Sequence, residues 1–403
     1  MGAVSPLGLD EATLWGNMVS GRTGIGRVRA VDTKDLKTTV GAEVNDELLT
    51  AAMQARGLVK SDRAVDMALA ASGLALEQAG IIKGAGPYAH TEMPTIFGTA
   101  IGATQSSFGA CASFAQKGVR GVRPTTVPRG MANAISAQIS MKFRLTGANY
   151  VVVSACSSST NAIGIAFRMI RDGYADMALC GGAEAPFEPF VFAAWNNLGV
   201  MSKNQDPAKA CRPFDAARDG CVLGEGAGAL VLETLESAQA RNAKIRAEIC
   251  GYGESSDAGH ITTPSAEGQV RCMRAALECA GMNPADIGYI NAHGTATKAN
   301  DECEAESIRL TLGDAASTIP VGSNKSFFGH MLGGAGVMEV IVTVLGLEHR
   351  KVPPNLNLDN PDPACNLLLV GGTGMEVSSP AAMKNSFGFG GGNAVLIIKR
   401  WES

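Results

Sequence analysis

The sequence predicts an α/β protein made of two similar halves, on three observations. Short apolar runs bounded by glycine recur along the chain, helix-length segments separate them, and a faint repeat relates the first half to the second. The runs are TIFGTAIG (95–102), YVVVSAC (150–156), MALCGGAE (177–184), GALVLE (228–233) and AVLIIKR (394–400). They are aliphatic or β-branched and uninterrupted by charge, so they read as strands buried on both faces of parallel or mixed sheets. Between them, Ser61 and Asp62 offer an N-terminal cap for a helix that runs to about Gly80, and a second helix covering Arg271 ends at Gly281 in the same way. ALEQAG (75–80) returns as ALECAG (276–281), and FGTA (97–100) returns as HGTA (293–296), at offsets of 201 and 196 residues. Four-letter matches also arise by chance in Ala/Gly-rich sequence, so the repeat alone leaves duplication and coincidence both open. A duplication makes the halves 1–245 and 246–403. No Pro/Ser-rich linker marks that boundary, so the halves are expected to share one core.

Composition narrows the function classes. The chain has 403 residues, enough for two to four units of roughly 100–200 residues. With 46% apolar and 18% charged residues it is globular rather than disordered. Thirty-four basic against 38 acidic residues give a net charge of -4, and without a basic excess or finger spacing no nucleic-acid role is expected. No apolar run approaches the length of a membrane span, so none is predicted. MGAVSPLGLD lacks the basic and apolar regions of a signal peptide, and Pro6 spoils a myristoylation motif. The ten cysteines include no C-x-x-C pair. They read as free thiols in a reducing, cytoplasmic setting, without zinc spacing.

One cysteine stands apart. Cys156 ends the run 150–155, is followed by SSST (157–160), and then by an apolar helix-like stretch that stops at Gly173. The thiol is therefore expected at a strand–helix junction, where unpaired N–H groups and the positive end of the helix favour an anion. Such a position lowers a thiol from its usual pKa of about 8.5. The alternative is a buried structural cysteine. His293 in NAHGTAT (291–297) and His330 in NKSFFGHMLGGAG (324–336) both sit at Gly-flanked strand ends, where α/β folds place their sites. His90 and His349 have ordinary surroundings, and His260 in SSDAGHITTP reads as a loop residue near a pocket. No H-x-x-H or H-E-x-x-H spacing supports a metal, and no G-x-x-x-x-G-K-[ST] cradles a phosphate.

Taken in order, VSACSSSTNAIG, NAHGTAT, NKSFFGHMLGGAG and NSFGFGGGN (385–393) resemble the β-ketoacyl synthases, nearest to the elongating type II enzymes of fatty-acid synthesis. GGAEAPFEPF (181–190) and RPFDAARDGCVLGEGAGALVLE (212–233) match as well, so the resemblance covers essentially the whole chain. It implies the thiolase fold, two α/β halves in a five-layer αβαβα sandwich. It also implies decarboxylative condensation of an acyl-enzyme with malonyl-acyl carrier protein. The chain keeps one Cys and two His, whereas priming synthases replace the second His with Asn and chain-length factors lose the Cys.

The resemblance assigns roles residue by residue. Cys156 is the nucleophile, and the backbone N–H groups of Cys156 and Phe389 form the oxyanion hole. His293 and His330 are neutral donors to the enolate. Lys325 tunes the site and pairs with Glu339. Thr295 and Thr297 bind the phosphopantetheine arm, and Phe389 gates the pocket within a Gly-rich loop. Ile101 limits acyl depth, and Phe187, Phe190, Phe192 and Trp195 lie near the acyl pocket and dimer interface. Arg120, Arg123 and Lys203 are docking candidates for an acidic carrier protein, with Lys60 and Arg63 as further basic residues. No metal or cofactor is implied beyond the carrier's phosphopantetheine. A homodimer is expected, or a heterodimer with a ketosynthase-like partner.

Three features depart from the family pattern. Relatives usually have an additional short strand just before the turn at MGAVSPLG; either the assigned start omits it or the protein does without it, and a missing strand is expected to leave a neighbouring strand unpaired. Gly392 stands where Thr is common. Phe327 and Phe328 stand where smaller residues are usual, and are expected to reshape the acyl or malonyl pocket. Fatty-acid elongation and a specialised type II polyketide or polyene pathway both remain open, and retention of Cys156, His293 and His330 argues against a non-catalytic partner subunit.

Overall fold

Two five-stranded sheets carry the fold, each drawn from one half of the chain. The structure, a computed structural model, describes residues 1–402 apart from 85 and 87. The first sheet takes β1 (Gly2–Val4), β2 (Thr95–Gly98), β3 (Asn149–Val152), β4 (Met177–Glu184) and β5 (Gly226–Glu233). The second takes β6 (Ala247–Ser256), β7 (Ile287–Asn291), β8 (Val321–Gly322), β9 (Ala381–Phe387) and β10 (Gly392–Arg400). The helices that position the site are α1 (Arg63–Gln78), α2 (Thr104–Lys117), α3 (Ser158–Arg171), α4 (Pro189–Leu198), α5 (Ala266–Ala280), α6 (Lys298–Leu312) and α7 (Ala335–His349).

The strand orders are β3-β2-β4-β5-β1 and β8-β7-β9-β10-β6. In each sheet the first three strands run parallel and the last two pair antiparallel. Renumbered within its own half, each order is the same. The sequence repeat falls on matching elements: ALEQAG and ALECAG close α1 and α5, and FGTA and HGTA leave β2 and β7, the second strand of each sheet. Asp62 caps α1 by accepting from Ala64 N–H, and Gly281 ends α5 in the left-handed region.

Helices fill three layers around the two sheets. Ala162, Ile163 and Ala166 of α3 and Val337, Val340 and Ile341 of α7 pack between Ala178 and Leu230 of the first sheet and Leu396 and Ile398 of the second. The outer face of the first sheet is covered by α1, with Ala64, Ala68 and Ala71 against Phe97 and Leu179. Helices α5 and α6 cover the second through Met273, Ala276 and Ile308 against Val395 and Ile397. The result is the αβαβα sandwich of the thiolase fold.

Two expectations change. The sequence predicts no stretch of membrane-spanning length, but Leu332–His349 is long and apolar enough. It is apolar on all sides because it lies between two sheets, and 89% of it is buried in the protein. The run 150–156 was expected to be buried on both faces, but β3 is the edge of the first sheet, with Tyr150 and Val153 more than half exposed. At the opposite edge, β1 pairs, among the described residues, with residues 227–229 of β5. Residues 230–233 continue past it along a groove of about 530 Å³ lined by Phe167, Ile170, Leu232 and Trp401.

The central helices α3 and α7 meet at a glycine. A Cβ on Gly336 would stand 2.1 Å from Thr160 Oγ1 and 2.9 Å from Thr160 N. The backbone beside it is fixed by Val337 N–H, which donates to Ser159 Oγ at 3.0 Å. Both helices begin a few residues after the candidate reactive side chains, so this contact sets the distance between the halves. Gly336→Ala is expected to cost about 1–3 kcal/mol by overpacking. A urea unfolding midpoint checks this, and a midpoint equal to that of the native protein would show that the crossing is not tight.

Candidate active site

Cys156 lies where the chain turns from β3 into α3. Ala155 takes φ +52°, a left-handed conformation that costs a non-glycine residue energy and bends the backbone sharply. The following serines brace the turn: Ser157 Oγ donates to Ser154 O at 2.8 Å, and Ser158 Oγ accepts from Ser154 N–H at 2.9 Å. His293 follows β7 in a loop where Gly294 and Ala296 also have positive φ. His330 follows a single helical turn, Lys325–Phe328, and its N–H donates to Val222 O at 2.7 Å. Leu332, two residues on, has φ +44°. Strained backbone thus flanks all three side chains, held by the packing around it.

The three converge. His330 Nε2 is 3.1 Å from Cys156 Sγ. The two imidazoles meet edge to face with centroids 5.3 Å apart. Lys325 Nζ is 3.4 Å from His293 Nδ1, donates to His293 O, and pairs with Glu339 Oε1 at 2.5 Å. Cys156, His293, His330, Lys325 and Glu339 are all buried.

Burial sets the protonation states. It holds both imidazoles well below the ordinary histidine value, and the ammonium groups of Lys325 and Lys384 add to the effect. Both rings are therefore neutral at pH 7. Burial also pushes the Cys156 thiol up to about 11, against the opposing pull of Lys325 and the Phe389 backbone N–H. This corrects the sequence expectation of a lowered thiol pKa, because desolvation outweighs the helix end. The resting nucleophile is a thiol with a neutral acceptor beside it. His330 Nδ1 has no partner among the described residues, so its tautomer is not locked.

The remaining sequence candidates divide. Thr295 and Thr297 line the pocket above the trio, their hydroxyl oxygens 2.9 Å apart, and Phe389 and His260 line the same pocket. Phe389 presents its N–H to Cys156 Sγ and stacks its ring on Trp195 with centroids 5.8 Å apart. Its loop turns through positive φ at Gly390 and Gly391. Phe187 and Phe192 are buried in the cluster that holds Cys156, whereas Phe190 is exposed against Phe108. Ile101 sits on the turn after β2, 39% exposed in the single chain and outside the pocket lining. Arg120, Arg123, Lys203 and Lys60 are exposed. Arg63 is not free for docking, because it pairs with Glu225 and Asp46. Phe327 and Phe328 do not shape the pocket as expected; both are fully buried in the central core.

Sequence reasoning gave no role to three buried charges. Glu184 accepts from Ala100, Ile101 and Gly333 N–H, tying the turn after β2 to the turn after His330. Burial pushes it up to about 7. Glu304 accepts from His293 and Gly294 N–H at 2.8 Å each, orienting the His293 loop. Lys384 Nζ lies 2.7 Å from Glu339 Oε2. A signal was present for Glu184 and Lys384, each a charge in an apolar run that must find a partner, but not for Glu304, which lies among other acidic residues in NDECEAE.

A thiol beside a neutral base, with a backbone N–H over the sulfur and two neutral imidazoles facing one cavity, suits acyl transfer followed by stabilisation of an enolate. Comparison with known proteins agrees. Residues 1–238 match the β-ketoacyl synthase N-terminal domain, and residues 246–359 match its C-terminal domain. A 3-oxoacyl-[acyl-carrier-protein] synthase 2 from Synechocystis sp. is 39% identical over all of this chain and 97% of its own length. Among solved structures, the ishigamide ketosynthase/chain length factor superposes with a TM-score of 0.91 at 32% identity, covering 100% of this chain and 98% of its own. A type II polyketide ketosynthase in complex with its acyl-carrier protein gives 0.90 at 28% identity, covering 99% and 98%. With its Cys-His-His constellation and both domain models matched in order, the chain belongs to the β-ketoacyl synthase family.

Proposed function

We propose that this chain is an elongating 3-oxoacyl-[acyl-carrier-protein] synthase that condenses an acyl group on Cys156 with malonyl-carrier, releasing CO2. The observation that carries the reading is the 3.1 Å approach of His330 Nε2 to Cys156 Sγ beneath a second neutral imidazole. In the first step Cys156 Sγ attacks the acyl thioester while His330 takes its proton, and the proton leaves with the pantetheine sulfur. The N–H groups of Cys156 and Phe389 receive the oxyanion, each such donor being worth roughly 2.7–4 kcal/mol. In the second step malonyl-carrier loses CO2, and N–H groups of His293 and His330 hold the enolate oxygen. The free Nδ1 lets His330 serve as acceptor in one tautomer and donor in the other. In the third step the carbanion attacks the acyl-Cys carbonyl and the 3-oxoacyl product departs. Thr295 and Thr297 hold the pantetheine arm. No cofactor is needed beyond that arm, and the ten unpaired cysteines favour a cytoplasmic setting.

Identity of 39% to the elongation enzyme favours fatty-acid synthesis. A type II polyketide role is the second reading, favoured by the structural likeness to a type II polyketide ketosynthase, with a TM-score of 0.90. The partner is an acyl carrier protein, which the acyl-carrier complex of a related ketosynthase supports. We also infer a dimer through β3, because this edge strand offers unpaired N–H and C=O groups beside exposed Tyr150 and Val153. A ketosynthase-like partner could take the same edge.

Three measurements test the reading. With a panel of acyl-carriers, native protein is expected to gain one acyl mass at Cys156 and then, with malonyl-carrier, to release 3-oxoacyl product. Cys156→Ala should show neither, and His293→Ala should acylate without condensing. Absence of any adduct on the native protein would overturn the assignment. Although Ile101 lies outside the pocket lining of the single chain, Ile101→Ala is expected to admit longer acyl chains, and an unchanged chain-length profile would show that this turn does not set acyl depth. Replacing Arg120 and Arg123 together by Glu should raise KM for acyl-carrier and leave acylation by small thioesters intact. An equal loss with both substrates would argue against docking.

A further inference from the structure

Lys384 is a charge that the three steps above leave unused. It lies on β9, in the interior of the second sheet, with a fully buried side chain. Its ammonium stands 2.7 Å from Glu339 Oε2, while Lys325 holds Glu339 Oε1 at 2.5 Å. One carboxylate is therefore shared between two buried cations. Lys384 also donates to Asn385 O at 2.7 Å and to Ser386 Oγ. Ser386 Oγ in turn bonds Thr160 Oγ1 of α3 at 2.8 Å.

We propose that Lys384 is a positioning residue for the condensation site, a second cation that splits the charge of Glu339 so that Lys325 can act on the imidazoles. The proposal rests on the reading of His293 and His330 as neutral donors. With only one lysine, Glu339 would cancel the Lys325 charge at close range, leaving little positive potential at the rings. Burial pulls the Lys384 ammonium below the ordinary lysine value and the Glu339 carboxylate opposes that fall; with both lysines charged, the group formed by Lys325, Glu339 and Lys384 is net positive, and its nearest ammonium is 3.4 Å from His293 Nδ1. In a desolvated site a cation at the Lys325 range opposes ring protonation strongly, and Lys384 preserves that effect by holding the other oxygen of Glu339.

The other charged and titratable groups facing the rings act in both directions. Cys156 on the turn before α3 is protonated and adds no charge. Glu304 on α6 is a competing carboxylate: it accepts from His293 and Gly294 N–H and from Asn385 Nδ2, burial favours its neutral form, and any ionised fraction offsets part of the lysine field. Glu184 on β4 is taken up by the Ala100, Ile101 and Gly333 N–H groups. Each ring shifts toward its neutral form under Lys384 as well as Lys325, the same direction as the geometric argument.

The test is Lys384→Met in the full chain, a change that keeps volume and removes the charge. Imidazole titration is followed by NMR on histidine-labelled protein, and malonyl-carrier decarboxylation is measured across pH. Loss of the cation should let both rings protonate at higher pH, moving their midpoints up by about one pH unit. The acid limb of decarboxylation should move up with them. Midpoints that stay where the native protein has them overturn the proposal, whatever the activity. Shifted midpoints in a protein that never decarboxylates malonyl-carrier would sink the proposed reaction and leave the electrostatic role of Lys384 standing. If Lys384→Met does not fold, the native protein still decides: both rings should remain uncharged at pH 6, and a charged ring there overturns the proposal.

Discussion

Desolvation of Cys156, His293 and His330 is the constraint to which the surrounding structure answers. Removed from water, the imidazoles stay neutral and the thiol keeps its proton, so the chemistry proceeds without a fixed charge on any reacting group. The necessary field comes instead from ammonium groups behind the rings. Those ammonium groups are themselves buried, and each needs a carboxylate. The carboxylate stands on α7, whose position is fixed by the glycine crossing with α3. One demand, dry reactive groups, thus reaches from a side-chain pKa to the packing of two helices in the middle of the sandwich.

How far the site could be read from sequence depended on the kind of signal. His293, His330 and Lys325 sit in Gly-bearing segments and Cys156 in a run of small polar residues, compositions that mark strand ends and tight turns, and the glycines reflect real backbone demands such as positive φ at Gly294 and Gly329. Glu184 and Lys384 received no role because each is a single charge in its stretch, and Glu304 because it is one of several acidic residues in NDECEAE. The partners described lie 83 to 149 residues from Glu184 and 10 to 81 from Glu304, and the carboxylate that pairs with Lys384 lies 45 residues away. A partner at such distance is set by tertiary packing, which a local pattern does not report. The thiol pKa failed for a related reason. The helix end is visible in sequence, whereas the depth of burial that overrides it is not.

The fold divides the same way. Strand runs and helix caps were legible from glycine punctuation and from Asp62, and the repeat segments do fall on matching elements. What the pattern missed was the difference between an interior and an edge strand. The run at 150–156 is as apolar as its neighbours, and only the sheet order reveals that one side of it is open. Its hydrophobic character makes sense if that side is covered in the working assembly. Phe327 and Phe328 illustrate the opposite case, where bulky residues next to a catalytic turn point into the core.

The shared strand order of the two sheets has a consequence for how the site could have arisen. If each half were once a separate chain, two copies meeting face to face would have been related by a two-fold axis. Both would have contributed the same turn before the same central helix, in mirrored roles around one cavity. Joined in a single chain, those equivalent turns are free to diverge. One now ends in a nucleophile and the other in an imidazole, so a site that symmetry would have kept redundant holds two different reagents at contact distance.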